Sequence, residues 1–268
     1  MLAAAFLAAA IPALATPLAA QRLTSDTAGP SPATAARRFA TRGTVIALAT
    51  LAAMPFDVRL AEGMRGGALQ HNGALRSTAK AFDAAGDPGA LVASALLYGA
   101  GLTTHSPRLT RVGLHAGEAV IVAGATTSVL KLVAGRQRPY VAPGDADDFT
   151  PFRIANGHTS FPSGHTTVAF AFASAVTAEL ATGSTRAAWI GGSLLYTGAG
   201  LVGLARMYGD KHWASDVVLG AGIGTLAGLE TVAFSRVHAH NRIERLLGTL
   251  AVVPGAHGVT FAVRRPAR

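Results

Sequence analysis

The chain has 268 residues, half of them hydrophobic, only 14% charged and none of them cysteine, with a mean hydropathy of +0.37. That is too apolar for an ordinary soluble domain and points to a membrane or a deeply buried helical core; the missing cysteines exclude a disulfide framework and thiol chemistry. A net charge of +9 suits an anionic membrane surface or an anionic substrate, and with neither a zinc pattern nor aromatic–basic interleaving it does not describe a nucleic-acid module.

Residues 1–20 form an apolar stretch ending in small residues. They read as a secretory signal peptide or, because no Lys or Arg precedes the stretch, as an uncleaved N-terminal anchor. Residues 21–42, rich in Thr, Ser, Pro and Ala and carrying Arg37, Arg38 and Arg42, read as a linker with a basic end. The apolar stretch 44–55 is about 12 residues long, short of the roughly 20 that a bilayer demands. Residues 57–89 are mixed polar and charged and close on the turn signal AAGDPGA, so 21–89 is a linker and N-terminal helical region.

Five apolar stretches follow, over roughly 90–104, 112–134, 164–182, 187–205 and 213–235. Few β-branched runs alternate with period two, so each is expected to be a helix. Gly220, Gly224 and Gly228 recur at four-residue spacing in the last stretch and mark a face on which a neighbouring helix can approach closely. Beyond residue 237 the tail is basic. Its NRIER segment reads as a helix end, and TLAVVPGAHGVTFAVRR as two short strands around a turn. The expected fold is all-α: a bundle of five to six apolar helices, embedded in the membrane, with a short C-terminal β-hairpin. Helix length and glycine content favour the membrane. The short 44–55 stretch, His115 and Glu118 inside 112–134, and the hairpin favour a soluble periplasmic enzyme instead.

Three polar islands interrupt this pattern. KLVAGRQRPY carries Lys131, Arg136 and Arg138, and Lys131 lies a turn inside an apolar run, where a lone ammonium is costly. FPSGHTTVAF places Ser163, Gly164 and His165 at a helix start. There the serine can cap an orphan N–H, and the free N–H groups and helix dipole can hold an anion. ARMYGDKHWASDVV carries Arg206, then His212 and Asp216 four apart, so that a carboxylate can orient an imidazole. In an up-and-down bundle all three islands fall at one end. Cations and helix N–H groups there match the needs of a phosphoryl group, with one histidine to attack phosphorus and another to protonate the leaving oxygen.

Lys131 with Arg138-Pro139, Pro162-Ser163-Gly164-His165, and Arg206 with His212 and Asp216 resemble the three-part signature of the type 2 phosphatidic acid phosphatase and vanadium haloperoxidase superfamily, across about 90–235. One departure is Ala205, where the third motif usually opens with serine. The resemblance implies a phosphatase core over 90–236, with His212 as nucleophile, Asp216 orienting it and His165 as general acid. It implies that Lys131, Arg138, Ser163, Gly164 and Arg206 cradle the phosphate. No metal or cofactor is implied, and His158 is a bystander. A phosphorylated lipid or a small phosphoester is the implied substrate; the alternatives are a non-specific periplasmic acid phosphatase, a vanadate-dependent haloperoxidase, and a membrane protein with a decayed site. If all five stretches span, the motifs share one side with residues 21–89. The opposite side carries Arg108, Arg111, Arg186, Arg236, Arg242 and Arg245. An exported N-terminus and the positive-inside rule then both place the site in the periplasm, on a bacterial-type inner membrane.

Overall fold

The computed structural model describes residues 31–155, 157–238, 250–255 and 258–263. The signal-peptide segment, the NRIER helix end and the last five residues lie outside them.

The described helices run α1 Pro32–Ala53, α2 Asp57–Arg65, α3 Gly67–Gln70, α4 Gly73–Gly86, α5 Gly89–Thr103, α6 Pro107–Ala134, α7 Gly164–Ala181, α8 Thr185–Tyr208 and α9 Ala214–Val237, with a 3₁₀ turn at Met54–Phe56. The five apolar stretches are α5 to α9, displaced by a few residues. Sequence chemistry sets their ends. Ser106 and Ser184 cap α6 and α8 with their hydroxyls, Pro107 occupies the first turn of α6, and Gly135 closes α6 in the left-handed conformation at φ +55°. The C-terminal hairpin is present: β1 Leu250–Gly255 pairs antiparallel with β2 Gly258–Val263, Leu250 opposite Val263.

The linker expected over 21–42 is corrected from residue 32 onward. Ser31 accepts the N–H of Thr34, Pro32 fits the first helical turn, and an alanine-rich run carries α1 without a break to Ala53. Together with α2 this gives an apolar helical stretch of 33 residues, Ala33–Arg65, long enough to cross a membrane. Reading 44–55 alone understated it, because the helix extends past the stretch at both ends, through Phe39, Ala40 and Thr41 before it and Val58, Leu60 and Ala61 after it.

Among the described residues four helical stretches are long and apolar enough to span: Ala33–Arg65, α6, α8 and α9. The helix α7 is the axle of the bundle. It packs against α6, α8 and α9, and it is buried from Thr166 to Ala171 and from Ala173 to Glu179. Small side chains make this possible: Ala116, Ala119 and Ala123 of α6 meet Ala171, Ala175 and Ala178 of α7, with Leu229 and Val232 of α9 closing the cluster. The polar residues that argued for solubility are paired inside the bundle. His115 Nδ1 lies 2.9 Å from Glu179 Oε1, and Ser235 Oγ donates to Glu118 Oε2 at 3.3 Å.

The helices α1 and α9 are antiparallel neighbours. Arg42 pairs with Glu230, Ile46 faces Gly222, and Asp57 reaches Ser215. The start of α1, with Arg37, Arg38 and Arg42, therefore lies at the end of the bundle opposite the three motifs. The expectation that all of 21–89 shares the motif side is corrected for this segment.

Candidate active site

The second and third motifs are brought together by the glycine face of α9. A Cβ on Gly220 would stand 2.7 Å from the Ser163 carbonyl oxygen, one on Gly224 2.2 Å from that of Thr167, and one on Gly228 2.6 Å from that of Ala171. Only hydrogen fits at these three positions, so α9 lies backbone to backbone on α7 along its length. At the top of this contact Ser163 N–H donates to the Asp216 carbonyl at 3.0 Å, stitching the start of one helix to the first turn of the other.

Ser163 stands at the N-cap of α7, yet its hydroxyl makes no capping bond; it pairs with Thr166 Oγ1 at 2.8 Å. The simpler of the two sequence readings, a capping serine, is therefore not what is found. The first-turn N–H groups of α7 receive no side-chain cap, which suits an anion. Lys131 reaches this spot from α6: its Cε lies 3.7 Å from where a Gly164 Cβ would be, and its Nζ donates to the Thr159 carbonyl at 2.5 Å. Lys131 thus lies in van der Waals reach of the start of α7.

His212 is buried, its Nδ1 3.4 Å from Asp216 Oδ2 and without a hydrogen-bond partner. Asp216 is occupied elsewhere. Its Oδ2 accepts Ser160 Oγ at 2.5 Å and the Trp213 N–H at 2.9 Å, and its Oδ1 accepts Arg136 Nη1 at 2.7 Å. Burial pushes the His212 ring down from its ordinary 6.5 to about 3, with Lys131 and Arg206 adding and Asp216 opposing. The imidazole is accordingly neutral at physiological pH, the form in which a ring nitrogen can act as nucleophile. Lys131 and Arg138 each interact electrostatically with both Arg206 and Asp216, so residues of the first and third motifs lie near one another. Two of these cations hold donors in reserve: Nε of Arg138 and Nε of Arg206 are buried without a partner.

Three residues to which the family resemblance gave no role complete the site. Arg136, 1% exposed, is a hub rather than a phosphate ligand. Its Nη2 donates to Asp57 Oδ2 at 2.7 Å and to the Ala146 carbonyl at 2.6 Å, and its Nη1 to Ser215 Oγ at 2.7 Å. Asp57, fully buried at the start of α2, in turn accepts Ser215 N–H at 2.8 Å. Asp83 of α4 is ion-paired with Nη1 of Arg206. The end of α4 is pressed on the site because Gly86 has no side chain: a Cβ there would stand 2.9 Å from both His165 Cβ and Val202 Cγ1. His158 is a brace, its Nδ1 2.9 Å from the Gly135 carbonyl and its Nε2 3.0 Å from Gln137 Nε2.

Residues 113–239, which hold all three motifs, match the model of the PAP2 superfamily. Over 71 residues the chain is 42% identical to the lipid A 1-phosphatase of Porphyromonas gingivalis, a stretch that is 26% of this chain and 15% of that protein. Two solved structures are similar. The crystal structure of Aquifex aeolicus LpxE aligns with a TM-score of 0.49 and 22% identity, covering 66% of this chain and 94% of that one. The transmembrane PAP2-type phosphatidylglycerolphosphate phosphatase of Bacillus subtilis aligns with a TM-score of 0.46 and 19% identity, covering 72% and 98%.

Proposed function

Because the motif-bearing segment 113–239 belongs to the PAP2 superfamily, we propose that this chain is a membrane phosphatase that hydrolyses a phosphomonoester or diphosphate, foremost a lipid phosphate, through a phosphohistidine. The observation that carries the reading is a neutral, buried His212 beside cations whose buried Nε donors have no partner. Such donors are costly to leave unmade and are satisfied by an anion's oxygens. The local match to a lipid A 1-phosphatase supports the lipid.

In this mechanism Lys131, Arg138 and Arg206, with Ser163 and the N–H groups that begin at Gly164, hold the nonbridging oxygens and offset the charge that develops on them. His212 attacks phosphorus in line. The bond to the leaving oxygen breaks, and that oxygen takes a proton from His165. His165, now neutral, removes a proton from water as it attacks the phosphohistidine, releasing phosphate and restoring His212. Asp216 fixes the turn that carries His212 by capping the first turn of α9, and it faces the ring at a distance that shortens to a hydrogen bond when Nδ1 takes up positive charge. Burial of four apolar stretches in a bilayer, with Arg37, Arg38, Arg108, Arg111, Arg186 and Arg236 at the end away from the site, supports an inner-membrane protein whose site faces the periplasm.

Purified protein is to be assayed on phosphatidic acid in mixed micelles and on p-nitrophenyl phosphate. Wild type should release phosphate from both, His212→Ala from neither, and His165→Ala about 10²-fold more slowly than wild type. Wild-type turnover by His212→Ala would sink the mechanism.

A further inference from the structure

The loop that joins α6 to α7 turns an apolar tip outward beside the phosphate cluster. Phe152 is 70% exposed and Ile154 61%, with the exposed Arg153 between them. Phe152 also holds φ at +65°, a left-handed conformation that is a genuine outlier for a bulky residue. An aromatic ring kept both strained and uncovered requires a reason other than folding.

The tip does not wave freely. Its base is locked onto the end of α6: Thr150 N–H donates to the Gly135 carbonyl at 3.0 Å and Phe152 N–H to the Leu132 carbonyl at 2.8 Å. Gly135 permits this approach, since a Cβ there would stand 1.7 Å from the Thr150 oxygen. Phe149 anchors the near side, edge-on to Phe161 at 5.7 Å between ring centres and with the buried Arg136 guanidinium 5.0 Å from its own ring centre.

What the tip adjoins is set by α6. Val129, Leu132 and Val133 are 61%, 42% and 48% exposed and form an outward face of a helix long and apolar enough to cross a membrane, a face suited to lipid. Phe152, bonded to Leu132, extends that face beyond the helix end. Lys131, the neighbour of Leu132, turns the other way, to Gly164 and the phosphate site. The last turn of α6 therefore separates a phosphate-binding cation from an apolar surface by the width of one helix. An apolar tip carrying an arginine at this level matches the boundary between headgroups and acyl chains.

We propose that Phe152 and Ile154 form the port against which the apolar body of the substrate lies while its phosphate rests on Lys131, Arg138 and Arg206. The inference rests on the lipid reading above and adds the residues that select a lipid over a water-soluble ester.

The test is the double variant Phe152→Asn, Ile154→Asn in the full-length protein. Asn accepts positive φ, so the backbone at 152 is not strained further. The probes are dioleoyl phosphatidic acid in detergent micelles and p-nitrophenyl phosphate in solution. The expected result is a fall of about tenfold in kcat/KM for phosphatidic acid, carried by KM as befits contacts made equally in ground and transition states, with p-nitrophenyl phosphate kinetics within about twofold of wild type. Unchanged lipid kinetics would overturn the port, and so would an equal loss on both substrates, which marks damage to the site. A wild-type enzyme that cleaves p-nitrophenyl phosphate but no phosphatidic acid would overturn the lipid reading itself and the port with it.

Discussion

Asp57→Ala should be among the most destabilising single changes in this chain. The carboxylate is fully buried and pairs with Arg136, itself 1% exposed, at 2.7 Å. It also accepts Ser215 N–H at 2.8 Å and Ser215 Oγ at 2.5 Å. Removing it leaves Arg136 with Asp216 as its one carboxylate and strips the acceptor from a buried backbone N–H. Breaking a buried ion pair from one side costs about 3–5 kcal/mol, and in a chain of this size each kcal/mol moves Tm by roughly 2–4 °C. A fall of about 6–20 °C in thermal unfolding, followed in detergent, is the expected outcome. Arg136 Nη1 also positions Asp216 Oδ1 at 2.7 Å, so phosphatase activity should fall alongside. The double variant Asp57→Ala, Arg136→Met should melt above the sum of its parts, because it leaves no unpaired guanidinium. An Asp57→Ala protein that melts within about 2 °C of wild type would refute the claim that this network holds the N-terminal region to the site.

Asp83→Ala should lower kcat/KM about tenfold, since Arg206 Nη1 loses the partner that fixes its plane; tighter vanadate inhibition with undiminished turnover would instead make Asp83 a competitor of the substrate. Chelation by EDTA should leave activity intact, because the proposed cations are side chains, and orthovanadate should inhibit by forming a trigonal-bipyramidal adduct on His212; activity lost to EDTA and restored by magnesium would point to other chemistry. His212 titrates near 3 when folded and near 6.5 when free, so this ring leaves stability unaffected above about pH 6.5 and erodes it as pH falls from there, when the unfolded chain takes up a proton that the folded one refuses. His212→Gln should melt with a shallower acid dependence than wild type over pH 4–6.5, and an identical slope would contradict the shift. For topology, a cysteine at Gly144 should be labelled by an impermeant thiol reagent and a reporter fused after Val237 should be cytoplasmic; a periplasmic reporter would reject an odd number of crossings between them.

The residues of the candidate site were legible because each motif is local. Lys131 and Arg138 bracket one helix end, Ser163 to His165 open the next helix, and His212 and Asp216 share one turn. Their convergence could be inferred from helix order alone. The glycine spacing in α9 was legible as a pattern, but its meaning needed the partner: Gly220, Gly224 and Gly228 press on the carbonyls of Ser163, Thr167 and Ala171. Reading Ser163 as a cap failed because its hydroxyl has a competitor one turn on, Thr166, that propensity does not weigh.

What the sequence hid is long-range. Asp57 lies 79 positions from Arg136 and 158 from Ser215, and Asp83 lies 123 from Arg206. An acid in a mixed polar stretch looks like a solvated side chain until its partner is known, so 57–89 read as a featureless helical region. Yet the proposed phosphate cluster draws its counter-charges from it. Three cations at one helix mouth repel one another in the absence of substrate, and a buried guanidinium costs several kcal/mol unless paired. Asp83 supplies the counter-charge to Arg206, and Asp57 shares Arg136 with Asp216. The region before residue 113 is thus the part that lets the motif-bearing helices keep their charges close together without a bound anion. A family signature can therefore be complete in a fragment that would not hold its site: residues 113–239 carry every proposed catalytic group, but the carboxylates of Asp57 and Asp83, on which Arg136 and Arg206 depend, lie outside it.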